Sequence, residues 1–134
     1  MKTIIAGSRS VTDLDLVADA VRASGFDITE VVSGGAPGVD SLGEQWAEQH
    51  GIPVTRFPAD WKRYGRRAGP IRNTEMAEYA EALIAVWDGR SRGTKNMIQL
   101  ARQRGLRVFV FRVPALKGDH LRERAAPFWV RLAA

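Results

Sequence analysis

The chain has no cysteine, and this absence excludes disulfide bonds, thiolate nucleophiles and cysteine-ligated metals. Its two histidines, His50 and His120, are a poor basis for a zinc site, and we expect no bound structural metal. Long apolar runs are also absent: none approaches the roughly 20 residues that span a bilayer. The first residues lack the apolar stretch of a signal peptide, so we expect a cytoplasmic protein without membrane contact.

The composition is that of a globular protein. With 134 residues, of which 45% are hydrophobic and 26% charged, the chain fits one domain that is long enough to bury a hydrophobic core and too short for two domains with separate cores. We expect this domain to span residues 1–134, with its core at about 2–111 and a C-terminal extension at 112–134. In the extension, residues 121–132 suggest a last helix, in which Phe128 and Trp129 belong either to an interface or to the core.

The net charge of +5 permits three interpretations. Basic residues attract phosphate groups, but they also form solvated surfaces that have no function. Here they occur in short groups, such as the four between residues 62 and 67, with no obvious aromatic-basic strip. The charge therefore leaves open a functionless surface, a small phosphorylated ligand and a polynucleotide.

Hydrophobic periodicity predicts five strands that alternate with single amphipathic helices. The predicted strands are 3–6, 29–33, 54–57, 82–87 and 108–111. The predicted helices are 13–23, with Asp13 as N-cap, then 39–50, 71–79 and 93–103, and residues 58–69 are predicted to form a polar loop. Because the strands are apolar along their length, we expect an α/β fold: a Rossmann-like three-layer α/β/α domain with a mostly parallel sheet of about five strands.

In open parallel sheets, ligands bind beyond the carboxyl ends of the strands. The glycine-rich segment 33–40 follows the second strand, and glycines there allow backbone N–H groups to approach an anion. The spacing is neither that of a Walker loop nor Gly-x-Gly-x-x-Gly, so a turn that needs glycine for geometry alone remains an alternative. The loop 89–94 offers a second phosphate cradle, with the hydroxyls of Ser91 and Thr94.

Several side chains near these loops are candidates for ligand contact. Arg9 and Arg72 are placed to bind an anion, although a lone arginine is often only surface charge. Asp40 is either an acceptor for a ligand hydroxyl or a residue favoured by the helix dipole. Trp61 stacks on a base or packs onto the domain, whereas Trp46, at helical spacing, is predicted to be core. The full candidate set is Gly7, Ser8, Arg9, Ser33, Gly34, Gly35, Ala36, Gly38, Asp40, Asp60, Trp61, Arg72, Asn73, Gly89, Ser91, Arg92, Gly93 and Thr94.

Five motifs in order resemble one known family. They are Gly7-Ser8-Arg9, Ser33-Gly34-Gly35-Ala36-x-Gly38-Val39-Asp40, Ala59-Asp60-Trp61, Ala68-Gly69-Pro70-x-Arg72-Asn73-x-x-Met76 and Trp87-Asp88-Gly89-x-Ser91-x-Gly93-Thr94. Together they resemble the YspA-like branch of the SLOG superfamily, which includes the Lonely guy phosphoribohydrolases and the DNA-processing protein of natural transformation. The resemblance implies a nucleotide or nucleotide-derived ligand and a homodimer or higher homo-oligomer, and it leaves Mg²⁺ dependence open.

The Lonely guy enzymes release a base from a nucleoside monophosphate with an arginine and a glutamate. Their arginine motif resembles the segment from Arg72 to Met76, but their glutamate falls on Met97, whose thioether cannot replace a carboxylate. Their mechanism is therefore not carried over. Asp60 and Asp88, which follow strands that we expect to be adjacent, remain candidates for a rearranged hydrolytic site with Arg72.

These observations favour a sensor or binding domain that holds a nucleotide without turnover. One alternative is an N-glycosidase similar to the phosphoribohydrolases, and a second is a DNA-binding protein. The ligand-binding prediction depends on whether the candidate residues meet at one edge of the sheet.

Overall fold

The computed structural model describes residues 1–114, which form a five-stranded parallel sheet with helices on both faces. The strands are β1 Lys2–Gly7, β2 Glu30–Ser33, β3 Val54–Arg56, β4 Ala82–Trp87 and β5 Arg107–Arg112. The α-helices are α1 Leu14–Ser24, α2 Val39–Gln49, α3 Trp61–Tyr64, α4 Ala68–Tyr79 and α5 Arg92–Gln103, and a 3₁₀ helix covers Gly65–Arg67. This arrangement confirms the predicted Rossmann-like α/β/α fold.

The strands lie in the order β3-β2-β1-β4-β5, and every neighbouring pair is parallel. The strand order reverses between β1 and β4, so the connections after these strands run to opposite faces and leave a crevice between them. The predicted adjacency of the strands before Asp60 and Asp88 is wrong. β3 and β4 are separated by β2 and β1, which places their ends roughly 14 Å apart at the usual strand spacing.

Alternate residues of the strands build two cores. Ile5 of β1 faces the core formed with α1 and α2, whereas Ile4 faces the core formed with α4 and α5. Trp46 of α2 is 8% exposed and belongs to the first core, as predicted. Because β1 and β4 are buried along most of their length, the ends of these strands are held on a rigid base.

The sequence correctly predicted the N-cap of α1 but did not predict the helical structure between β3 and α4. Asp13 caps α1 by accepting the N–H of Asp15 at 2.9 Å, as predicted. The predicted polar loop 58–69 is wrong, because α3 and the 3₁₀ helix occupy most of it and α4 already begins at Ala68. Pro70 fits into the first turn of α4, where an amide hydrogen has no partner within the helix. Arg72 therefore lies in the second turn of α4, whereas the predicted helix 71–79 would have placed it in the first turn.

The predicted helix 121–132 lies outside the described residues. Within residues 1–114, no helix is long and apolar enough to cross a membrane.

Candidate functional site

A cavity of about 610 Å³ opens where the strand order reverses, between the loops that follow β1 and β4. We call this cavity the main cleft. It is lined by Ala6, Gly7, Ser8, Arg9, Ser10, Ala36, Asp40, Trp61, Arg66, Gly69, Pro70, Arg72, Asn73, Met76, Asp88, Ser91, Arg92, Gly93, Thr94, Asn96 and Met97. Most of the residues predicted from strand-end position therefore meet in one place.

The loop after β1 packs directly on the glycine-rich loop after β2. Gly38 has a φ of 82°, and a Cβ built there would lie 2.5 Å from the Cα of Arg9 and 2.6 Å from the carbonyl oxygen of Ser8. The N–H of Val39 donates to that same oxygen at 3.4 Å. Only glycine permits this approach, which fixes the backbone of Arg9 at the mouth of the cleft.

Arg72 reaches from α4 into the glycine-rich loop and is only 9% exposed. Its Nη1 donates to the carbonyl oxygen of Gly34 at 2.6 Å, and its Nε donates to Oδ1 of Asn73 at 3.1 Å. The other three N–H groups of this guanidinium have no hydrogen-bond acceptor among residues 1–114. Burial lowers the pKa of Arg72, Asp40 raises it, and the positive charge of Arg9 lowers it again.

Asp40, in the first turn of α2, is a buried carboxylate that lines the same cleft and is 7% exposed. Its Oδ2 accepts the N–H of Ala36 at 3.2 Å, and within the described residues its Oδ1 accepts no hydrogen bond. Burial raises the pKa of Asp40 to about 6, although the N–H of Ala36 and the charge of Arg72 oppose the rise. Near neutral pH the cleft thus holds a carboxylate that is poorly stabilised by the protein itself.

Asp88, after β4, is stabilised in its charged form. Its Oδ1 accepts the N–H groups of Arg90 at 2.8 Å and Ser91 at 2.9 Å. Burial alone would raise the pKa of Asp88, but these N–H groups and the hydroxyl of Ser8 outweigh it and lower the pKa. Asp88 organises the loop that leads into α5, where Ser91 is the N-cap and accepts the N–H of Thr94 at 3.3 Å.

An amide pair ties α4 to the start of α5. The Nδ2 of Asn73 donates to Oδ1 of Asn96 at 2.9 Å and to the carbonyl oxygen of Gly93 at 3.3 Å. Asn96 and Met97 follow Gly93 by three and four residues, so all three share the face of α5 that lines the cleft. This helical spacing is a signal that could have identified Asn96 from the sequence.

A second cavity of about 410 Å³ lies beside the main cleft, at the ends of β2 and β3. We call it the side cavity. Its lining residues are Arg9, Gly34, Gly35, Ala36, Pro37, Arg56, Pro58, Ala59, Trp61 and Arg72. Trp61, which is 51% exposed at the start of α3, contributes to both cavities.

Comparisons with known proteins concern the family and the fold of the chain. Residues 1–64 match the model of the YspA, cpYpsA-related SLOG family. The chain is also 36% identical over 120 residues to the Gene 61 protein of Mycobacterium phage D29, a match that covers 82% of this chain and 95% of that protein. The chain belongs to the YspA-related SLOG family.

The fold of this SLOG domain is similar to that of DNA processing protein A (DprA) from Streptococcus pneumoniae. The TM-score is 0.65 at 20% identity, and the match covers 97% of this chain and 56% of that one. The chain thus spans little more than half of the DprA chain, and the likeness shows the fold alone.

Four predicted residues of the SLOG domain lie outside the lining of both cavities: Ser33, Gly38, Asp60 and Gly89. Ser33 is buried and its hydroxyl donates to a glutamate of α2 at 2.6 Å. Asp60 is the N-cap of α3 and accepts the N–H of Arg63 at 3.1 Å. Gly89, with a φ of 81°, lies against the guanidinium of Arg112. These residues hold the loops in shape around the cavities.

The structure also adds lining residues that sequence reasoning had not nominated. They are Ala6, Ser10, Arg66, Gly69, Pro70, Met76, Asn96 and Met97 in the main cleft, and Pro37, Arg56, Pro58 and Ala59 in the side cavity. Arg66 belongs to the basic group at 62–67, but no pattern in the predicted polar loop 58–69 indicated that it lines the cleft. Within residues 1–114 of the SLOG domain, no group of three or more acidic or histidine side chains is arranged to hold a metal ion.

Proposed function

We propose that this SLOG domain binds a nucleotide or nucleotide-derived phosphorylated ligand in the main cleft and releases it unchanged, as a sensor or binding domain. The supporting observation is a pair of buried, incompletely bonded groups in one cavity. Arg72 has three free donors and Asp40 has a free acceptor oxygen within the described residues. Buried polar groups normally find partners, so a ligand with both an anion and hydroxyl groups suits this pair. A nucleotide offers both in its phosphate and its ribose.

The rest of the cleft has the chemistry that such a ligand needs. Arg9, Arg66 and Arg92 add positive charge, and the exposed ring of Trp61 offers a surface on which a base can stack. The start of α5 places backbone N–H groups at the cleft wall, where they favour an anion. A volume of about 610 Å³ is within the usual range of roughly 300–1,000 Å³ for small-molecule sites.

Binding without turnover is favoured by the side chain at the position of the Lonely guy glutamate. Met97 lines the main cleft, is 1% exposed and has no ionisable group. Of the two carboxylates considered as substitutes, Asp60 caps α3 and lines neither cavity. Asp88 lines the cleft, but two backbone N–H groups already occupy one of its oxygens.

The test is to titrate the purified protein with nucleoside mono-, di- and triphosphates, ADP-ribose and NAD by calorimetry, and to analyse the recovered ligand by mass spectrometry. We expect an intact ligand, whose affinity falls in Arg72→Ala and in Arg9→Ala by roughly 10- to 150-fold each if the lost contact is a buried charge-assisted bond. Arg104→Ala, which removes an exposed arginine paired with Glu78, is the matched control. Equal affinities in all three variants would remove the arginines from the site.

A second candidate function, N-glycosidic hydrolysis, is favoured by one observation. The raised pKa of Asp40, about 6, is suited to a general acid or base near neutral pH. If this function is correct, the wild-type protein releases free base from a nucleotide of the panel, and Asp40→Asn abolishes release while binding persists. If the wild-type protein binds a nucleotide and releases no base, hydrolysis of that ligand is rejected.

A further inference from the structure

The main cleft and the side cavity share a wall made of four residues: Arg9, Ala36, Trp61 and Arg72. We infer that the ligand has two parts joined through phosphate, with one part in each cavity and the phosphates at the shared arginines. This inference rests on the proposed function and specifies the class of nucleotide: a nucleoside diphosphate linked to a sugar or to a second nucleoside.

Arg72 lies at the junction of the two cavities, because it lines both of them. It spans from α4 to the carbonyl oxygen of Gly34, and any Cβ at Gly34 would collide with it. Three N–H groups of Arg72 have no acceptor among residues 1–114. These donors are therefore available where the two cavities meet. A phosphate bound there would lie on the boundary and could carry a substituent into either space.

Arg9 brings a second positive charge to the same wall. The two guanidinium groups repel each other, which is why Arg9 lowers the pKa of Arg72. A bridging diphosphate has its negative charge in the middle of the molecule, between two bulky ends. That distribution matches two cations on a shared wall better than the charge of a mononucleotide, which lies at one end.

The side cavity combines apolar surface with one more cation, Arg56, which suits a sugar or a nucleoside. Pro58 and Ala59 form apolar walls, and Arg56 is held by an ion pair with Glu44 at 2.7 Å. The volume of about 410 Å³, against about 610 Å³ for the main cleft, gives each part of the ligand a space within the range of small-molecule sites. The smaller space is the one we assign to the sugar or second nucleoside.

The experiment compares ligands that share a base and differ only in the second part. Calorimetry is run with ADP and ADP-ribose, GDP and GDP-mannose, and UDP and UDP-glucose. We expect the pair with the preferred base to show at least tenfold tighter binding of the two-part ligand. Ala59→Phe fills the side cavity and should abolish this advantage, while the affinity for the nucleoside diphosphate stays within twofold of wild type.

Controls separate this inference from the proposed function. Ala59→Ser leaves the side cavity open and should keep the advantage of the two-part ligand. Arg56→Gln, an exposed position, tests the same cavity if Ala59→Phe does not fold, and it should reduce the advantage severalfold. Equal affinities within every pair, or a variant that weakens both ligands alike, overturns the two-part ligand while nucleotide binding stands. If no nucleotide of any pair binds, the proposed function fails as well.

Discussion

At the scale of single residues, Asp40 holds a charge where the protein stabilises it poorly. Its pKa is raised from 3.8 to about 6 by burial, so the folded state binds the proton more tightly than the unfolded state. The stability that this protonation contributes is complete below about pH 4 and is lost as the pH rises through 6. We therefore expect Asp40→Asn to raise the free energy of unfolding at pH 8 by about 2–3 kcal/mol and to flatten the profile between pH 4 and 6.

Urea denaturation at a series of pH values measures this effect, with Asp27→Asn as the control at an exposed aspartate. The same Asp40→Asn variant should bind nucleotide more weakly, since an amide is a poorer acceptor for a ligand hydroxyl than a carboxylate. Higher stability with weaker binding would indicate that the charge is retained for function. Unchanged or lower stability at pH 8 would contradict the raised pKa.

The sequence identified Asp40 and Arg72 but could not choose between their alternative roles. Whether Asp40 serves a ligand or a helix dipole depends on its burial, and burial is set by the distant residues that pack around it. Arg72 gains its role from the carbonyl oxygen of Gly34, 38 residues earlier in the chain. Contacts between residues so far apart in sequence leave no local pattern. The sequence therefore identified the candidate positions but not which of them contact each other.

At the scale of elements, two helices with side-chain N-caps allow a matched comparison. Asp13 caps α1 away from the cavities, and Ser91 caps α5 at the wall of the main cleft. We expect Asp13→Ala and Ser91→Ala each to lower the free energy of unfolding by about 1 kcal/mol. Only Ser91→Ala should also weaken nucleotide binding, because its cap orders the backbone that faces the ligand. Denaturation and calorimetry on both variants check this, and equal loss of binding in the two would contradict a role for the start of α5.

Helices and strands were predicted correctly where burial of one face produces a hydrophobic period in the sequence, and were missed where nothing is buried. The strands and the helices α1, α2 and α5 have apolar faces, and their predicted ends fall within two residues of the observed ones. Helix α3 and the 3₁₀ helix bury no residue, so their sequence carries no apolar stripe, and only the cap at Asp60 marks them. Strand order was also out of reach, because which strands pair depends on crossover connections that local patterns do not specify.

At the scale of the whole molecule, the net charge of +5 is not spread evenly. The segment from Trp61 to Arg67 exposes Trp61 and Tyr64, and it contains four cations within seven residues: Lys62, Arg63, Arg66 and Arg67. We call this segment the strip; its exposure depends on the fold and is not visible in the sequence alone. Such a surface suits single-stranded nucleic acid as well as the rim of a nucleotide site.

Salt dependence separates these two roles of the strip. A mononucleotide or two-part nucleotide carries few phosphates. We therefore expect its affinity to fall by at most about tenfold between 50 and 200 mM salt. An oligonucleotide on the strip would bind with a slope of roughly −0.7 per phosphate contact in a plot of log affinity against log salt. The double variant of Lys62→Ala with Arg67→Ala, two residues that do not line either cavity, should reduce that slope and leave nucleotide affinity within twofold. If the double variant instead weakens the nucleotide and the oligonucleotide together, and each displaces the other, the strip and the main cleft form one continuous site, and the ligand is the end of a strand.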